Sequence, residues 1–218
     1  HILMFDGAMS EAQVFVNGGK VCFWPYGYNS FHCDVTEQLK EGSNDIVVLL
    51  ENREQSSRWY PGAGLYRKVR HITQPQVHVP VWGTYVTTPH IGKEHAVVSV
   101  RTKIEGVEKG SAVTLKTRIL DAGGHAVACV TDTRLLHFGE IEQTLTVENP
   151  TLWSPEDPVM YFAETEVYTG GSVNTDWNMD RPEISIADGT VPCDKVSTRF
   201  GFRTIEIIPD KGFFLNGE

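Results

Sequence analysis

The chain has 218 residues, of which 40% are apolar and 22% are charged, and its formal net charge is −9 at pH 7. This length and composition allow a buried core in one large domain or in two small ones. The negative charge argues against nucleic acid and anionic membranes as partners, because both attract basic surfaces. No apolar run approaches the ~20 residues that a membrane-spanning helix requires.

The first residues, His1-Ile2-Leu3-Met4-Phe5, have neither the basic segment nor the small-residue cleavage site of a signal peptide. They resemble the middle of a strand, so we expect a piece of a longer protein. This start is compatible with a cytoplasmic protein and with an exported one.

Short runs rich in Val, Ile, Thr and aromatic residues recur along the chain between Gly, Asn, Asp and Pro, which predicts an all-β fold. The predicted strands cover residues 3–6, 12–16, 21–23, 31–35, 46–51, 66–72, 77–82, 96–104, 113–121, 126–132, 143–147, 161–168 and 195–207. One helical turn is predicted at residues 36–40, with Thr36 as its cap and Gly42 as its end.

A domain boundary is predicted near Gln74-Pro75-Gln76. The long alternating strands after it, such as "HAVVSVRTKIE" and "SAVTLKTRILD", have the spacing of an immunoglobulin-like sandwich of about seven strands. The segment before the boundary contains too few strands for a closed β-domain and carries aromatic-rich loops.

Four cysteines, Cys22, Cys33, Cys129 and Cys193, form no CxxC pair and no zinc-finger spacing. Two disulfides in an exported protein are one interpretation. Free buried cysteines are favoured, because a chain of this length can fold without covalent links.

The polar segment 172–194 contains Asp176, Asn178 and Asp180, a D-x-N-x-D pattern like the start of a calcium loop. Arg181 stands where that loop requires Gly, and no Glu stands at the twelfth position, which favours a solvated hairpin insertion.

Motifs for catalysis are absent from the sequence: there is no G-x-S-x-G, no H-E-x-x-H and no Gly-rich phosphate loop. The histidines are scattered singly, and a metal shared by His71 and His78 is less favoured than two surface histidines. No pair of carboxylates stands out as an acid and base. These motifs alone indicate a β-rich binding or spacer module.

Two segments are dense in rings, "FWPYGY" at residues 23–28 and "RWYPG" at residues 58–62. Aromatic rings stack on the C–H faces of sugars, while Arg or Asp bonds the hydroxyls. The alternative is that these rings pack at the end of a sandwich or between domains.

Five phrases occur in a characteristic order: "FDGAMSEAQVFVNG", "GYNSFHCDVTEQLKEGSNDIVVLLEN", "SSRWYPGAGLYRKVRHI", "ENPTLWSPEDPVMYFAETEVY" and "FGFRTIEIIPDKGFFLNGE". Their succession over nearly the whole chain resembles glycoside hydrolase family 2, the β-galactosidase and β-glucuronidase family, and most resembles β-galactosidase. The resemblance implies a partial jelly-roll β-sandwich followed by an immunoglobulin-like β-sandwich.

Three domain assignments follow from the resemblance. Residues 1–74 correspond to the C-terminal half of a jelly-roll sugar-binding domain, residues 75–206 to the immunoglobulin-like domain, and residues 207–218 to the start of a TIM barrel. In the family both catalytic glutamates lie further downstream, so no catalytic residue is expected in this chain and Glu218 is neither of them.

The implied activity belongs to the parent enzyme, a retaining β-glycosidase whose two carboxyl groups stand ~5–5.5 Å apart. β-Galactosides are the expected substrates, with β-mannosides and β-glucuronides as alternatives. In the family, the loop at residues 57–64 extends toward the active site, and many members place an Asp or Asn there. Here Ser57 and Arg58 stand instead, and Arg can donate hydrogen bonds but not accept them.

Arg58 and Trp59 are therefore the expected substrate-binding residues, with a salt bridge from Arg58 to the barrel as the alternative. Trp153 is expected to anchor a corner of the sandwich, and Arg203 to bond across a domain junction. No metal or cofactor is expected in this chain, whereas the resemblance allows a divalent cation in the parent's barrel.

The expected partners are a carbohydrate substrate and the downstream barrel, with neither nucleic acid nor membrane, and the parent is compatible with a homo-oligomer. A free-standing carbohydrate-binding or adhesive β-sandwich protein without hydrolase activity is the competing hypothesis.

Overall fold

The computed structural model describes residues 1–169 and 190–218, and the chain divides into two compact units, His1–Gln74 and Pro75–Glu218. The predicted all-β class is confirmed, since the single helical element of the described residues is a 3-10 turn at Thr36–Gln38. None of the helices in these two described stretches is long and apolar enough to cross a bilayer. The calcium-like pattern at residues 176–180 lies outside the described residues.

The first unit contains two three-stranded antiparallel sheets, with orders β5-β1-β8 and β4-β3-β6, and a short pair β2-β7. Its strands are β1 Ile2–Phe5, β2 Ala8–Met9, β3 Ala12–Val16, β4 Gly19–Trp24, β5 Phe31–Asp34, β6 Ile46–Leu49, β7 Gly64–Leu65 and β8 Val69–Ile72. Alternate residues of β1, β3 and β5 are buried, as period-two strands packed on one face require. The main buried side chains are Leu3, Phe5, Val14, Val16, Phe31 and Cys33.

A disulfide joins Cys22 of β4 to Cys33 of β5, and so links the two sheets of the first unit. The prediction of free cysteines was wrong for this pair. Cys22 lies opposite buried Val14, and Cys33 lies opposite buried Leu3, so strand pairing directs both thiols into the core between the sheets. Cys129 and Cys193 are free as predicted, but neither is fully buried and Cys129 is exposed.

The second unit is a sandwich of a three-stranded sheet, β13-β10-β9, and a four-stranded sheet, β12-β11-β14-β15, followed by the hairpin β16-β17. Seven strands in two antiparallel sheets fit the predicted immunoglobulin-like sandwich. The strands are β9 Thr84–Ile91, β10 His95–Lys103, β11 Ala112–Leu120, β12 Ala126–Leu135, β13 Glu140–Glu148, β14 Tyr161–Thr169, β15 Asp194–Phe200, β16 Ile205–Ile208 and β17 Gly212–Leu215.

The strand predicted at residues 77–82 is absent. His78 makes an isolated bridge to Glu105, and a turn closed by a hydrogen bond from the Gly83 N–H to the Pro80 carbonyl (2.7 Å) precedes β9, which was not predicted. The prediction of one strand at residues 195–207 was also wrong. The chain breaks between β15 and β16, because Phe202 turns fully into the core and bridges Leu152 instead.

Two smaller predictions need correction. The strand predicted at residues 66–72 begins only at Val69. Thr36 does not cap the 3-10 turn; Asp34 accepts hydrogen bonds from the Thr36 hydroxyl (2.6 Å) and the Thr36 amide (2.9 Å). These two bonds, the hydroxyl first, hold the pKa of Asp34 below its ordinary value.

A buried polar layer lies in the core of the second unit, where Thr117 of β11 faces Gln143 of β13. The Thr117 hydroxyl donates to the Gln143 side-chain oxygen (2.6 Å) and pairs with the Thr165 hydroxyl of β14 (2.9 Å). The Gln143 amide donates to the Leu115 carbonyl (3.2 Å). Because a buried polar group is costly without partners, this layer disfavours a slipped register between the sheets.

The opposite face of the four-stranded sheet carries a charged network. Arg118 bonds Glu164 and Glu166 (2.9 Å for the second), and Lys195 bonds Glu164 (3.0 Å). Burial raises the pKa of the Glu164 carboxyl, but the hydrogen bonds and charges of Lys195 and Arg118 outweigh it and lower that pKa overall. The network ties β11, β14 and β15 together through side chains as well as backbone bonds.

Replacing Phe202 by Ala is expected to reduce the free energy of unfolding of the second unit by about 3–5 kcal/mol, because the buried ring contacts Tyr161 and Phe200 and its loss leaves a cavity. Urea denaturation followed by circular dichroism measures this loss. Phe138→Ala is the matched control, since this ring is 95% exposed and its removal should change stability by less than about 0.5 kcal/mol. Equal effects of the two substitutions would contradict the described core.

Candidate carbohydrate-binding site

The loop between β6 and β7 is tied to the segment that follows β4. The Trp59 indole N–H donates to the Tyr28 hydroxyl (2.8 Å), and the Ser57 hydroxyl donates to the Trp59 carbonyl (3.1 Å). The first bond connects residues 31 positions apart, and the second lies within the loop on the two sides of Arg58. The loop is therefore held at a defined place on the first unit although its side chains face solvent.

Three rings form a continuous exposed surface, which we call the aromatic strip: Tyr26, Tyr28 and Trp59. Their neighbouring centroids are 5.5 Å and 6.5 Å apart, and both contacts are edge-to-face. The exposed fractions are 53% for Tyr26, 39% for Tyr28 and 61% for Trp59, and Tyr60 beside them is fully exposed. Since the Trp59 N–H is already bonded, the part of Trp59 left for a ligand is its apolar ring.

Arg58 stands beside the strip and is exposed. Across residues 1–169 and 190–218 no acidic side chain forms an ion pair with it. Two other arginines of the first unit do have acidic partners: Arg53 pairs with Glu11 (2.7 Å) and Arg70 pairs with Asp6 (2.7 Å). The guanidinium of Arg58 is therefore available to a hydroxyl or carboxylate that comes from outside the unit.

The side chain of Tyr66 supports the strip through two close contacts. The Tyr66 hydroxyl donates to the Gly27 carbonyl between Tyr26 and Tyr28 (2.8 Å). The Tyr66 ring in turn lies against Gly7, where a Cβ would stand only 2.7 Å from the ring. A glycine at position 7 is therefore needed for Tyr66 to support the strip.

The structure separates the ring-rich segment at residues 23–28 into three environments. Trp24 stacks on Phe31 in the core (5.7 Å between centroids), whereas Phe23 lies under the Lys20 ammonium (5.5 Å). Only Tyr26 and Tyr28 join Trp59. The sequence marked residues 23–28 only as a ring-rich segment and did not join these two tyrosines to Trp59, because that contact depends on how the two loops meet in space.

The other candidate residues have ordinary partners. The ring of His71 contacts the His1 ring (3.0 Å between nitrogens), and the His78 ring contacts the Gln76 carbonyl (3.1 Å). Within the described parts of the chain, no group of three or more His, Cys, Asp or Glu side chains is placed to hold a metal. Trp153 lies at a corner of the second unit, where its backbone N–H donates to the Phe202 carbonyl (2.7 Å).

Comparison with known proteins identifies the family. The sequence model described as Glycosyl hydrolases family 2 matches residues 77–180. A putative beta-glucuronidase of Formosa agariphila and the beta-galactosidase BoGH2A of Bacteroides ovatus are each 34% identical over 98% of this chain. The crystal structure of a glycosyl hydrolase family 2 member from Bacteroides cellulosilyticus is similar over the whole chain, with a TM-score of 0.80 and 30% identity. The chain belongs to glycosyl hydrolase family 2.

This family 2 chain spans 19% of the length of the Formosa relative, 24% of the Bacteroides ovatus relative and 26% of the solved structure. The two curated relatives have the same identity to it but carry different substrate names. The names of these two relatives therefore do not choose between a galactoside and a glucuronide.

Replacing Tyr28 by Phe is expected to loosen the loop that carries Arg58, because it removes the acceptor of the Trp59 N–H and keeps the ring. A hydrogen bond worth about 1 kcal/mol corresponds to roughly five-fold faster amide exchange in residues 52–63. Hydrogen–deuterium exchange with mass spectrometry measures this change. Tyr60→Phe is the control, since it removes a hydroxyl from a fully exposed ring. Unchanged exchange in the Tyr28 variant would show that the bond does not hold the loop.

Proposed function

We propose that the chain is a non-catalytic part of a retaining β-glycosidase that hydrolyses terminal β-galactosides, and that Arg58 and Trp59 form part of its sugar site. One observation carries the proposal. In this family 2 protein, a single anchored loop presents both an exposed ring, Trp59, and a guanidinium without an acidic partner, Arg58. In this proposal residues 1–74 are the second half of a jelly roll, residues 75–206 the sandwich, and residues 207–218 the start of a barrel.

The chemistry of the site follows from its side chains. The apolar ring of Trp59 stacks on the C–H face of the sugar, and Arg58 donates hydrogen bonds to sugar hydroxyls. Arg cannot accept a hydrogen bond, so each hydroxyl that it contacts must donate its own proton elsewhere. Such contacts hold the sugar in position, and this binding energy is useful when it helps to orient the bond that breaks.

In this proposal no carboxyl group of the chain is a catalytic residue. Glu11 and Asp6 are each engaged by an arginine, and no acidic side chain in the described residues pairs with Arg58. A retaining glycosidase needs one carboxylate as nucleophile and a second carboxyl as acid and base. We infer that both come from a barrel that follows this segment, and that this chain binds and orients the sugar.

β-Glucuronides are the second candidate substrates, and one observation favours them. A free guanidinium is the side chain best suited to a uronate carboxylate, because it can donate two parallel hydrogen bonds to it. Arg58 would then recognise the C6 carboxylate instead of neutral hydroxyls. The two candidates differ in how strongly activity should depend on the positive charge of Arg58.

The test is to express the complete open reading frame that encodes these residues and to assay it with p-nitrophenyl β-galactoside, β-glucuronide and β-mannoside. We expect turnover of the galactoside by that protein and none by the 218-residue chain. Trp59→Ala and Arg58→Gln should each lower kcat/KM by about 10-fold, as the loss of one sugar contact of about 1.4 kcal/mol predicts. Phe138→Ala, which removes an exposed ring from the second unit, should leave kcat/KM unchanged.

Each other outcome has a defined meaning. Turnover of the glucuronide alone, with a loss of about 100-fold or more in Arg58→Gln, would establish the second candidate, because two parallel charged hydrogen bonds of about 1.5–3 kcal/mol each would be lost. Sugar binding without turnover of any β-glycoside by the complete protein would favour a free-standing carbohydrate-binding protein. Normal kcat/KM in both Arg58 and Trp59 variants would remove the loop from the sugar site.

A further inference from the structure

A groove of about 450 Å³ opens in the second unit where two sheet edges face each other. Thr87 and Thr88 of β9 line one side, and Arg199 of β15 lines the other. Trp153, Arg203 and Ile205 complete it. We call it the two-arginine groove. The aromatic strip belongs to the first unit, and the proposed function makes no use of this groove.

Arg203 is held in a fixed position within the groove. Its guanidinium lies over the Trp153 ring at 5.0 Å from the centroid. The backbone of Trp153 is anchored, since its N–H donates to the Phe202 carbonyl (2.7 Å) and its carbonyl accepts from the Asn216 side-chain amide (3.0 Å). Stacking occupies a face of the guanidinium and leaves its N–H edge free for an acceptor.

Both arginines of the groove lack an acidic partner among residues 1–169 and 190–218. Arg58 and Arg67 of the first unit also form no ion pair among these residues, whereas five other arginines have a carboxylate within 4 Å. Those in ion pairs are Arg53, Arg70, Arg101, Arg118 and Arg134. Two uncompensated guanidinium groups in one concave site favour an anion that can accept hydrogen bonds from both.

The shape and lining of the groove indicate what carries that anion. In the described residues β9 and β15 are edge strands, each with a single strand neighbour, so unpaired backbone groups flank the groove. Met160 and Ile205 add apolar surface next to the arginines. An extended polypeptide matches all three features, because its backbone can pair with an edge while alternate side chains enter the groove.

A carboxylated sugar fits less well. Sugars are bound by exposed ring faces, and the ring of Trp153 is covered by Arg203, while its Cβ and Cγ lie against Gly201. An Asp or Glu side chain needs no ring face, and an apolar neighbour in the same segment would cover Met160 and Ile205. The lining therefore favours a protein segment over a sugar acid.

We propose that the two-arginine groove binds an extended acidic segment of a protein, with one Asp or Glu carboxylate between Arg199 and Arg203 and an apolar side chain on Met160 and Ile205. The negative charge of the rest of the chain supports this choice, because it repels acidic segments elsewhere and concentrates their attraction at the groove. The partner is recognised by its charge pattern and its extended backbone.

The experiment selects peptides from a random displayed heptapeptide library on the immobilised product of the complete open reading frame that encodes these residues. Bound sequences are expected to be enriched about five-fold in Asp or Glu next to an apolar residue. The same selection on the Arg199→Gln/Arg203→Gln variant should lose this enrichment. The Arg101→Gln/Arg134→Gln variant is the matched control, since it also removes two positive charges from the second unit, but outside the groove.

Fluorescence anisotropy of the best labelled peptide then measures Kd. We expect Kd to rise at least about 10-fold in the groove variant and less than about 2-fold in the control, in keeping with the loss of charged hydrogen bonds. Arg199→Gln alone should give part of the rise, and it is informative even if the double variant folds poorly, because Arg199 does not stack on Trp153. No acidic enrichment, equal Kd values in both variants, or displacement of the peptide by glucuronate at a concentration near the peptide's Kd would overturn the proposal.

Discussion

The central strand β11 imposes the constraint on which the second unit depends. It is hydrogen-bonded to β12 on one side and to β14 on the other, so its alternate side chains must enter the space between the two sheets. Val113, Leu115 and Ile119 fill that space with apolar atoms, and Thr117 places a hydroxyl between them. A shift of one residue would expose the apolar set and leave Gln143 without its partner, which is why one register is strongly preferred.

The first unit also buries apolar side chains between two sheets, but a disulfide joins its sheets. Its smaller sheets bury Leu3, Phe5 and Val14 between them, and the Cys22–Cys33 disulfide joins the sheets through this core. Some aromatic residues of this unit are buried in the core and others are exposed on loops. Phe5 and Phe31 stack within the core, whereas the rings of the strip lie on loops at the surface. Rigid sheets that carry exposed recognition loops are a common arrangement for binding sites, because the scaffold limits the entropy that a ligand must remove.

The alternation of apolar and polar residues predicted the strands whose local preference agrees with their packing in the folded protein. The strand Ala12–Val16 was predicted at its observed bounds, and the alternation in β10, β11 and β13 identified the sandwich. The errors lie where distant contacts override local preference. Phe202 interrupts a strand-like run because the core takes its ring, and the strand predicted at residues 77–82 is replaced by a turn at Pro80 that precedes β9.

The sequence predicted the candidate site only in part, for the same reason. Composition and family resemblance were enough to single out Arg58 and Trp59, since both lie in one short ring-rich phrase. They could not join Tyr28 to Trp59 or Cys22 to Cys33, because each pairing depends on how strands and loops approach in space. The lack of an acidic partner for Arg58 likewise becomes visible only when the positions of nearby carboxylates are known.

The central claim is that the loop holding Arg58 and Trp59 contacts sugar in a working β-glycosidase. A crystal structure of the complete protein with the released sugar bound in its active site tests this most directly. We predict the Trp59 ring within about 4.5 Å of sugar carbons and an Arg58 nitrogen within about 3.2 Å of a sugar oxygen. A bound sugar with no atom of either side chain at contact distance, and Arg58 paired instead with a carboxylate of the protein, would contradict it.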